Sequence, residues 1–571
     1  MAAMHTRIGP GFVRDDVRVT RRLLRRPSPR ARQRPGRGGP SSAAPERVEG
    51  LRDLRRLGLA GSILLGVGAL GAGALPMPNP LAGLRLIGLP ARNPTICLAV
   101  AYAGLVIVVV AWARVALRLR APQPPNRGEL VRAATLWAAP LAIAPPLFSR
   151  DVYSYLAQGA TLARGLDPYR LGPEDALGAN DALVRGIPAL WRHTPSPYGP
   201  VFLLLGRALA AATGQDVVAG LLAYRLVALL GLALMVWALP RLAHRAGVDP
   251  NTALWLGAAN PLVLFHIISG AHNDGLMIGL MLAGLEIGLR GRRTAFVVGT
   301  ALIVAASAVK APAVLALPFL VLTAALGRGG RFRDLVRACG LVAAIATPVY
   351  LLLSLATGVG LGATSALEVP GSVPSFLSVT TDLAVVAVVL GAVAGLGAHV
   401  EPVMTLFHAM GVAAAALLVL GSLLAVLRRG RDPVIGVAIG MAAVALLAVQ
   451  TQPWYLLWAL APAAATDRPR LHRWLGVGCV ILAVLVPPTG DDFVARGFQL
   501  TNACAAAALL LAAAYTAALL ARRATPHPHP ADITQGAAGC GGDHRRVPAA
   551  RIMAPLRWRQ TRNGLTDGRV R

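Results

Sequence analysis

The chain has 571 residues, 55% hydrophobic and 14% charged, with a mean hydropathy of +0.58 and a formal net charge of +30. A soluble domain of this length carries roughly 25% charged residues, so too little polar surface exists to coat a water-soluble globule. The charge does not point to nucleic acid either. Residues 1–56 hold fifteen Arg and five acids, and residues 522–571 hold ten Arg and three acids. No aromatic–basic module of the kind that reads RNA or DNA accompanies them. Such Pro/Gly/Arg-rich flanks read as disordered arms that set topology and attract anionic lipid.

Between the arms, apolar blocks alternate with Pro, Gly and Arg clusters. A bilayer core takes roughly 20 apolar residues as a helix, and lipid cannot satisfy a free backbone, so helices are expected. The first block begins near Leu57, after a long basic arm, which predicts a retained anchor and no cleavable signal peptide. Cytoplasmic loops are rich in Lys and Arg. With the arm inside, spans at 57–75, 95–113 and 131–148 place Arg114, Arg118, Arg120, Arg127 and Arg132 inside, and residues 149–198 become a long external loop. The short block 200–213 is read as a non-crossing helix at the outer face. Spans at 217–239, 252–269, 275–290, 294–309, 311–326 and 335–356 follow, and 379–397 is read as re-entrant or peripheral. Spans at 403–427, 433–450, 454–465, 471–487 and 498–521 complete about 14 crossings, with both termini cytoplasmic. The predicted fold is therefore an all-α polytopic membrane protein. Residues 1–56 form a basic arm, 57–521 the transmembrane body and 522–571 a basic tail.

The positive-inside rule puts the polar, motif-like segments on one side. Asp151 sits just past the outer end of the third span, where a partly desolvated acid suits a general base; Arg150 beside it suits ionisation of that acid or contact with a phosphate. Tyr153 and Tyr155 are two residues apart and do not share a helix face; both also fit an aromatic belt. His272-Asn273-Asp274 opens a helix at the outer face, with Asn273 or Ser269 a natural N-cap and Asp274 favouring the positive helix end. Capping does not explain His272, an ionisable residue at membrane depth. Lys310 is the only lysine in the chain. A cation at that depth needs a partner, and a lipid phosphate would serve; snorkelling is the plain alternative. In Gln450-Thr451-Gln452-Pro453-Trp454-Tyr455, Pro453 fits the first position of a helix, and Trp454, Tyr455 and Trp458 can stack on a sugar or anchor the interface. Asp167-Pro168-Tyr169 and Ser196-Pro197-Tyr198-Gly199-Pro200 are turn-formers, and Pro200 can start a helix. Four of the five cysteines, Cys97, Cys339, Cys479 and Cys504, lie in apolar runs and Cys540 in the tail. None has metal-like spacing, and zinc partners for His272 are missing.

Phe148–Tyr155 with Asp167-Pro168-Tyr169, Thr194–Pro200, Asn260-Pro261 followed by Gly270–Gly275, and Lys310-Ala311-Pro312 together resemble the actinobacterial polyprenol-phosphate-mannose-dependent α-1,6-mannosyltransferases of the GT-C superfamily. The resemblance covers residues 90–320 well. It implies a GT-C-like bundle, a polyprenyl-phosphate mannose donor, a lipid-linked mannan acceptor and an active site at the extracytoplasmic face of the plasma membrane. It further implies inversion to an α-mannoside, with Asp151 as the base and no metal or other cofactor required. Arg150, Tyr153, Tyr155, Tyr198, His272, Asn273, Asp274, Lys310, Gln452, Trp454 and Tyr455 are the substrate-binding candidates. The rival reading is a multispan transporter or lipid flippase, against which stand the lack of a visible internal repeat and the long loop carrying Asp151.

Overall fold

A computed structural model describes residues 50–86, 88–367, 369, 375, 377–490 and 497–524. Every regular element among them is a helix. Six helices are long and apolar enough to cross a membrane: α1 (Leu51–Ala72), α2 (Pro94–Arg118), α6 (Val217–Arg245), α11 (Phe332–Thr357), α13 (Val400–Arg429) and, within α17 (Gly497–Ala524), the stretch Gln499–Leu520. The other expected spans appear as shorter helices: α3 (Arg127–Ile143), α8 (Asp274–Gly288), α9 (Arg293–Ser307), α10 (Ala316–Leu326), α14 (Pro433–Leu447), α15 (Leu456–Ala464) and α16 (Pro469–Leu485). The two awkward blocks are helices too, α5 (Pro200–Thr213) and α12 (Val379–Val393), of 14 and 15 residues. α4 (Asp151–Ala163) and α7 (Pro250–Gly257) complete the set of α-helices of eight residues or more among the described residues.

The basic arm ends earlier than its charge pattern implies, because Leu51–Arg56 already belong to α1. Likewise α17 runs on to Ala524. Residues 1–49 and 525–571, on which the expected disorder falls, lie outside the described residues. The chain divides into Met1–Leu511 and Ala512–Arg571; the described part of the second is the last stretch of α17.

Small residues let the first two helices meet closely. A Cβ added at Gly68 would stand 2.6 Å from the Cys97 carbonyl oxygen, and one at Gly104 2.6 Å from that of Gly61. Without a water-driven force between helices in lipid, such backbone approach supplies the van der Waals contact that holds them. Helix starts follow local chemistry. The Asn126 side chain accepts from Glu129 N–H while Glu129 accepts from Asn126 N–H, a capping box that opens α3. Asp216 caps α6 and Asp249 caps α7 through backbone amides of their first turns.

The expected continuous span 252–269 is broken, a correction with a clear cause. Pro261 cannot donate to an i−4 carbonyl, so α7 stops at Gly257. Asn260 then bridges the gap: Nδ2 donates to the Leu256 carbonyl at 2.8 Å and Oδ1 accepts from Val263 N–H at 3.0 Å. The chain resumes as a wide π-helical turn over Val263–Ser269. Arg225, buried mid-way along α6, ties three elements together. Its guanidinium donates to the carbonyls of Leu141 (2.5 Å), Ala144 (3.0 Å) and Ser269 (2.7 Å).

The loop 149–198 is ordered by its own charges. Arg164 pairs with Asp181 at 2.8 Å, Arg192 with Glu174 at 3.6 Å, and His193 with Asp175 at 2.8 Å. The turn signals are realised. Asp167 Oδ1 accepts from Tyr169 N–H at 2.9 Å, and Pro200 is the first residue of α5. Of the four cysteines expected in packed interiors, Cys97 and Cys479 are buried, whereas Cys339 and Cys504 are exposed on their helices.

Candidate active site

Among the described residues two non-glycine positions have positive φ, and each leads into a chemistry-bearing segment: Phe148 (φ 66°) before Ser149-Arg150-Asp151, and Ala271 (φ 54°) before His272. An L residue in this region costs roughly 1–2 kcal/mol. Packing holds the first in place. Phe148 N–H donates to the Pro488 carbonyl at 3.0 Å, its ring stacks on Phe265 with centroids 4.9 Å apart, and Gly490 lies so close to Ser149 that a Cβ would stand 2.8 Å from the Ser149 nitrogen. Asp151 then begins α4, its N–H donating to Ser149 Oγ at 3.1 Å.

From these two turns the side chains converge. Asp151 Oδ2 lies 3.5 Å from His272 Nδ1, and the same nitrogen is 3.4 Å from the Tyr155 hydroxyl. Tyr155 meets Tyr198 edge-on, centroids 5.2 Å apart. The other face of the His272 ring carries the Trp454 indole at 4.0 Å and 29°. Asp274, fully buried, accepts from Lys310 Nζ at 3.0 and 3.1 Å and from Trp458 Nε1 at 2.6 Å. Lys310 lies over the rings of Tyr455 (4.6 Å) and Trp458 (5.3 Å), which stack on each other at 4.0 Å. The segment bearing Tyr198 is sewn to the one bearing Lys310. Gly199 N–H donates to Val309 and Val201 N–H to Ala308, and a Cβ at Gly199 would stand 2.3 Å from the Ala308 oxygen.

Asp151, Tyr155, Tyr198, His272, Asp274, Lys310, Trp454 and Tyr455 therefore form one connected set. Three candidates stand differently. Tyr153 points the opposite way from Tyr155, packs on Gly186 and donates to the Ala74 carbonyl. Gln452 begins the Pro453–Tyr455 turn, and its side chain makes no hydrogen bond among the described residues. Arg150 precedes α4 and supplies no side-chain cap. Two expectations are corrected. Asn273 occupies the N-cap position of α8 but makes no capping bond, because its own backbone is already helical (φ −65°, ψ −17°). Lys310 does not await an outside anion, because the Asp274 carboxylate already matches its charge.

The two acids differ accordingly. Asp274 is saturated with donors, whereas the Asp151 side chain keeps 26% of its surface exposed. Burial raises the Asp151 carboxyl to about 6, with Lys310 and Ser149 pulling down and Asp274 pushing up. A carboxylate tuned toward neutrality, open on one face and oriented by an imidazole, is equipped to take a proton from a hydroxyl.

Sequence reasoning passed over Arg225 and His266. Both are ionisable residues inside apolar blocks, the signal that singled out His272 and Lys310. Trp458 was read as a stacking or interface-anchoring ring; its indole N–H bond to Asp274 depends on a contact 184 residues apart in the chain.

An apolar, all-helical chain with a buried acid–imidazole–cation cluster is a membrane protein with the make-up of an enzyme. Residues 55–326 match the N-terminal domain of the α-(1→6)-mannopyranosyltransferase family, and residues 380–516 match the MptB C-terminal domain. A probable α-(1→6)-mannopyranosyltransferase of Mycolicibacterium smegmatis is 38% identical over 84% of this chain and 90% of its own length. An α-(1→6)-mannopyranosyltransferase of Mycobacterium tuberculosis is 38% identical over 81% and 87%, and α-(1→6)-mannopyranosyltransferase B of Corynebacterium glutamicum 33% over 76% and 76%. No solved structure matches the chain. The chain belongs to the α-(1→6)-mannopyranosyltransferase family, and is a hexosyltransferase.

Proposed function

We propose that the protein transfers mannose from polyprenyl-phosphate mannose to a lipid-linked mannan, forming an α-1,6 linkage with inversion at the anomeric carbon. One observation carries the mechanism: of the two clustered acids, Asp151 alone has an open face, with His272 Nδ1 3.5 Å from its Oδ2. Asp151 accepts the proton of the acceptor 6-hydroxyl as that oxygen attacks C1 of the donor. The C1–O bond to the lipid phosphate breaks, and the phosphate leaves with the bonding electrons. A single in-line displacement inverts a β-linked donor to an α-product. A phosphate monoester is a good leaving group where positive potential meets it. Lys310, balanced by Asp274, and Arg150 lie on the segments that carry this cluster. Tyr155, Tyr198, Trp454 and Tyr455 supply aromatic walls. Asn273 and Gln452 remain candidates for substrate contact from the same segments, whereas Tyr153, turned to the Ala74 carbonyl, does not.

In this reading the body at 57–521 crosses the plasma membrane about 14 times, with both basic ends cytoplasmic and the 149–198 loop outside. α5 and α12 lie at the outer face without crossing. The product is a lipomannan-type glycolipid of the cell envelope.

Asp151→Asn keeps the shape of the side chain and removes the base. In membranes supplied with polyprenyl-phosphate mannose, it should lower kcat at least a hundredfold, as expected for loss of a general base, while the protein inserts normally. Near-normal turnover would remove Asp151 from the role.

A further inference from the structure

Beside the charged pairs, unpartnered polar atoms gather on one short stretch and the ring that covers it. Both ring nitrogens of His266, Ser269 Oγ, His272 Nε2, both amide atoms of Asn273 and Trp454 Nε1 are buried and have no hydrogen-bond partner among the described residues. Their rings are mutual neighbours: His272 to Trp454 4.0 Å, His266 to Trp454 5.1 Å, His266 to His272 6.0 Å. A buried polar atom left unbonded carries a desolvation cost, and native interiors hold few of them. Seven such atoms, three on the π-helical turn Val263–Ser269, three on His272 and Asn273 just past the left-handed Ala271 and one on Trp454, are not a packing solution.

The chemistry of the set narrows what satisfies it. Asn273 Nδ2 and Trp454 Nε1 are donors; Asn273 Oδ1 is an acceptor, Ser269 Oγ is both, and each neutral imidazole offers one of each. A metal ion would need acceptors throughout, and a phosphate would need donors and positive charge. The groups nearby that could meet an ion are committed elsewhere, Lys310 to Asp274 and His272 Nδ1 toward Asp151 and Tyr155. A neutral ring bearing several hydroxyls, each both donor and acceptor, matches this mixture, and the Trp454 face suits its C–H surface. One imidazole separates the patch from the Asp151 carboxylate, so a sugar seated here has its reacting carbon near the base.

We infer that His266, Ser269, His272, Asn273 and Trp454 form the subsite for the non-reacting hydroxyls of the transferred hexose, with His266 a specificity-determining residue. The inference rests on the transferase reading above. In the structure the Trp454 indole covers His272. Sugar binding exchanges the Trp454–His272 stack for a stack of the indole on the hexose, and gives the unbonded atoms their partners.

The test uses the full-length protein in membranes, with polyprenyl-phosphate mannose, its 2-deoxy analogue and the C2 epimer, polyprenyl-phosphate glucose, as donors. His266→Phe fills the same space without ring nitrogens. It should raise KM for the mannosyl donor roughly tenfold, the worth of one or two neutral hydrogen bonds, with the smaller part of the loss in kcat, and erode the preference for mannose over both analogues. Tm of the purified variant should stay level or rise, because a polar group without a partner has been removed. His266→Gln, which keeps one donor and one acceptor, should recover part of the preference. An unchanged KM and donor preference together with a lowered Tm would make His266 a packing residue and overturn the inference. Should His266→Phe fail to accumulate, Asn273→Ala provides the same readout: a raised KM with relaxed donor choice supports the subsite, unchanged values overturn it. Wild-type protein that turns over these donors while both variants match it defeats the inference alone. Wild-type protein inert toward all three donors defeats the transferase reading itself.

Discussion

Lys310 Nζ lies 3.0 and 3.1 Å from the two carboxylate oxygens of Asp274, within a cluster that the chain assembles from residues 151 to 458. The lysine is 14% exposed and the aspartate not at all. Removing one partner of a buried pair strands the other charge, which typically costs about 3–5 kcal/mol. Lys310→Met and Asp274→Asn should therefore each destabilise the protein by that order. The double variant should regain much of the stability without regaining turnover, because the electrostatic setting of the cleft is gone. Thermal unfolding in detergent, combined as a double-mutant cycle, reads the coupling; additive losses would show that the pair is not a unit.

The pH profile follows from Asp151. Its carboxyl is raised by burial to about 6, and the proposed base works only when ionised. kcat/KM should be level above pH 7 and fall about tenfold per unit on going down through pH 6. Ser149 holds the carboxyl down, so Ser149→Ala should move the acid limb to higher pH. An acid limb that stays near the ordinary range of an exposed aspartate, in both proteins, contradicts the assignment.

Arg225 carries structure rather than chemistry. Its guanidinium satisfies three carbonyls, those of Leu141, Ala144 and Ser269, at the place where α3 and the π-helical turn end. Arg225→Met leaves these acceptors unbonded and should cost about 3 kcal/mol or more. Because Ser269 lies three residues before His272, activity should fall with stability. Loss of activity at undiminished Tm would instead assign Arg225 a direct part in the reaction.

Ala271 sets the direction of His272 from a left-handed backbone (φ 54°). Ala271→Gly relieves that strain but frees the unfolded chain by a similar amount, so stability should change by less than about 1 kcal/mol. Ala271→Val places a branched side chain in the same region and should cost about 2 kcal/mol, with a matching loss of turnover. Equal stabilities for the two variants, measured by Tm, would mean that the segment relaxes out of this conformation.

Much of the molecule was readable from local chemistry. A chain this apolar must satisfy its backbone in helices, which is why the blocks at 275–290 and 294–309 reappear close to their expected limits. Prolines and caps mark their starts because each acts on its own first turn: Pro200 for α5, Asp216 for α6, Pro433 for α14. The topological argument also grouped Asp151, His272–Asp274, Lys310 and Trp454–Tyr455, and the structure joins them in one cluster.

Pairing and direction were decided elsewhere. That Lys310 meets Asp274 and that Tyr153 turns to Ala74 while Tyr155 turns to His272 depend on groups dozens of residues or more apart in the chain. The block 252–269 looked continuous because hydropathy does not register the one missing amide at Pro261, and His266 was hidden because an apolar run conceals which face a polar ring occupies. The sequence alone determined that the chain is apolar and helical, since both follow from local solvation and backbone chemistry. Only the tertiary structure decided which acid is sealed and which is open, because burial and hydrogen-bond partners are properties of the packed neighbours and not of the residue.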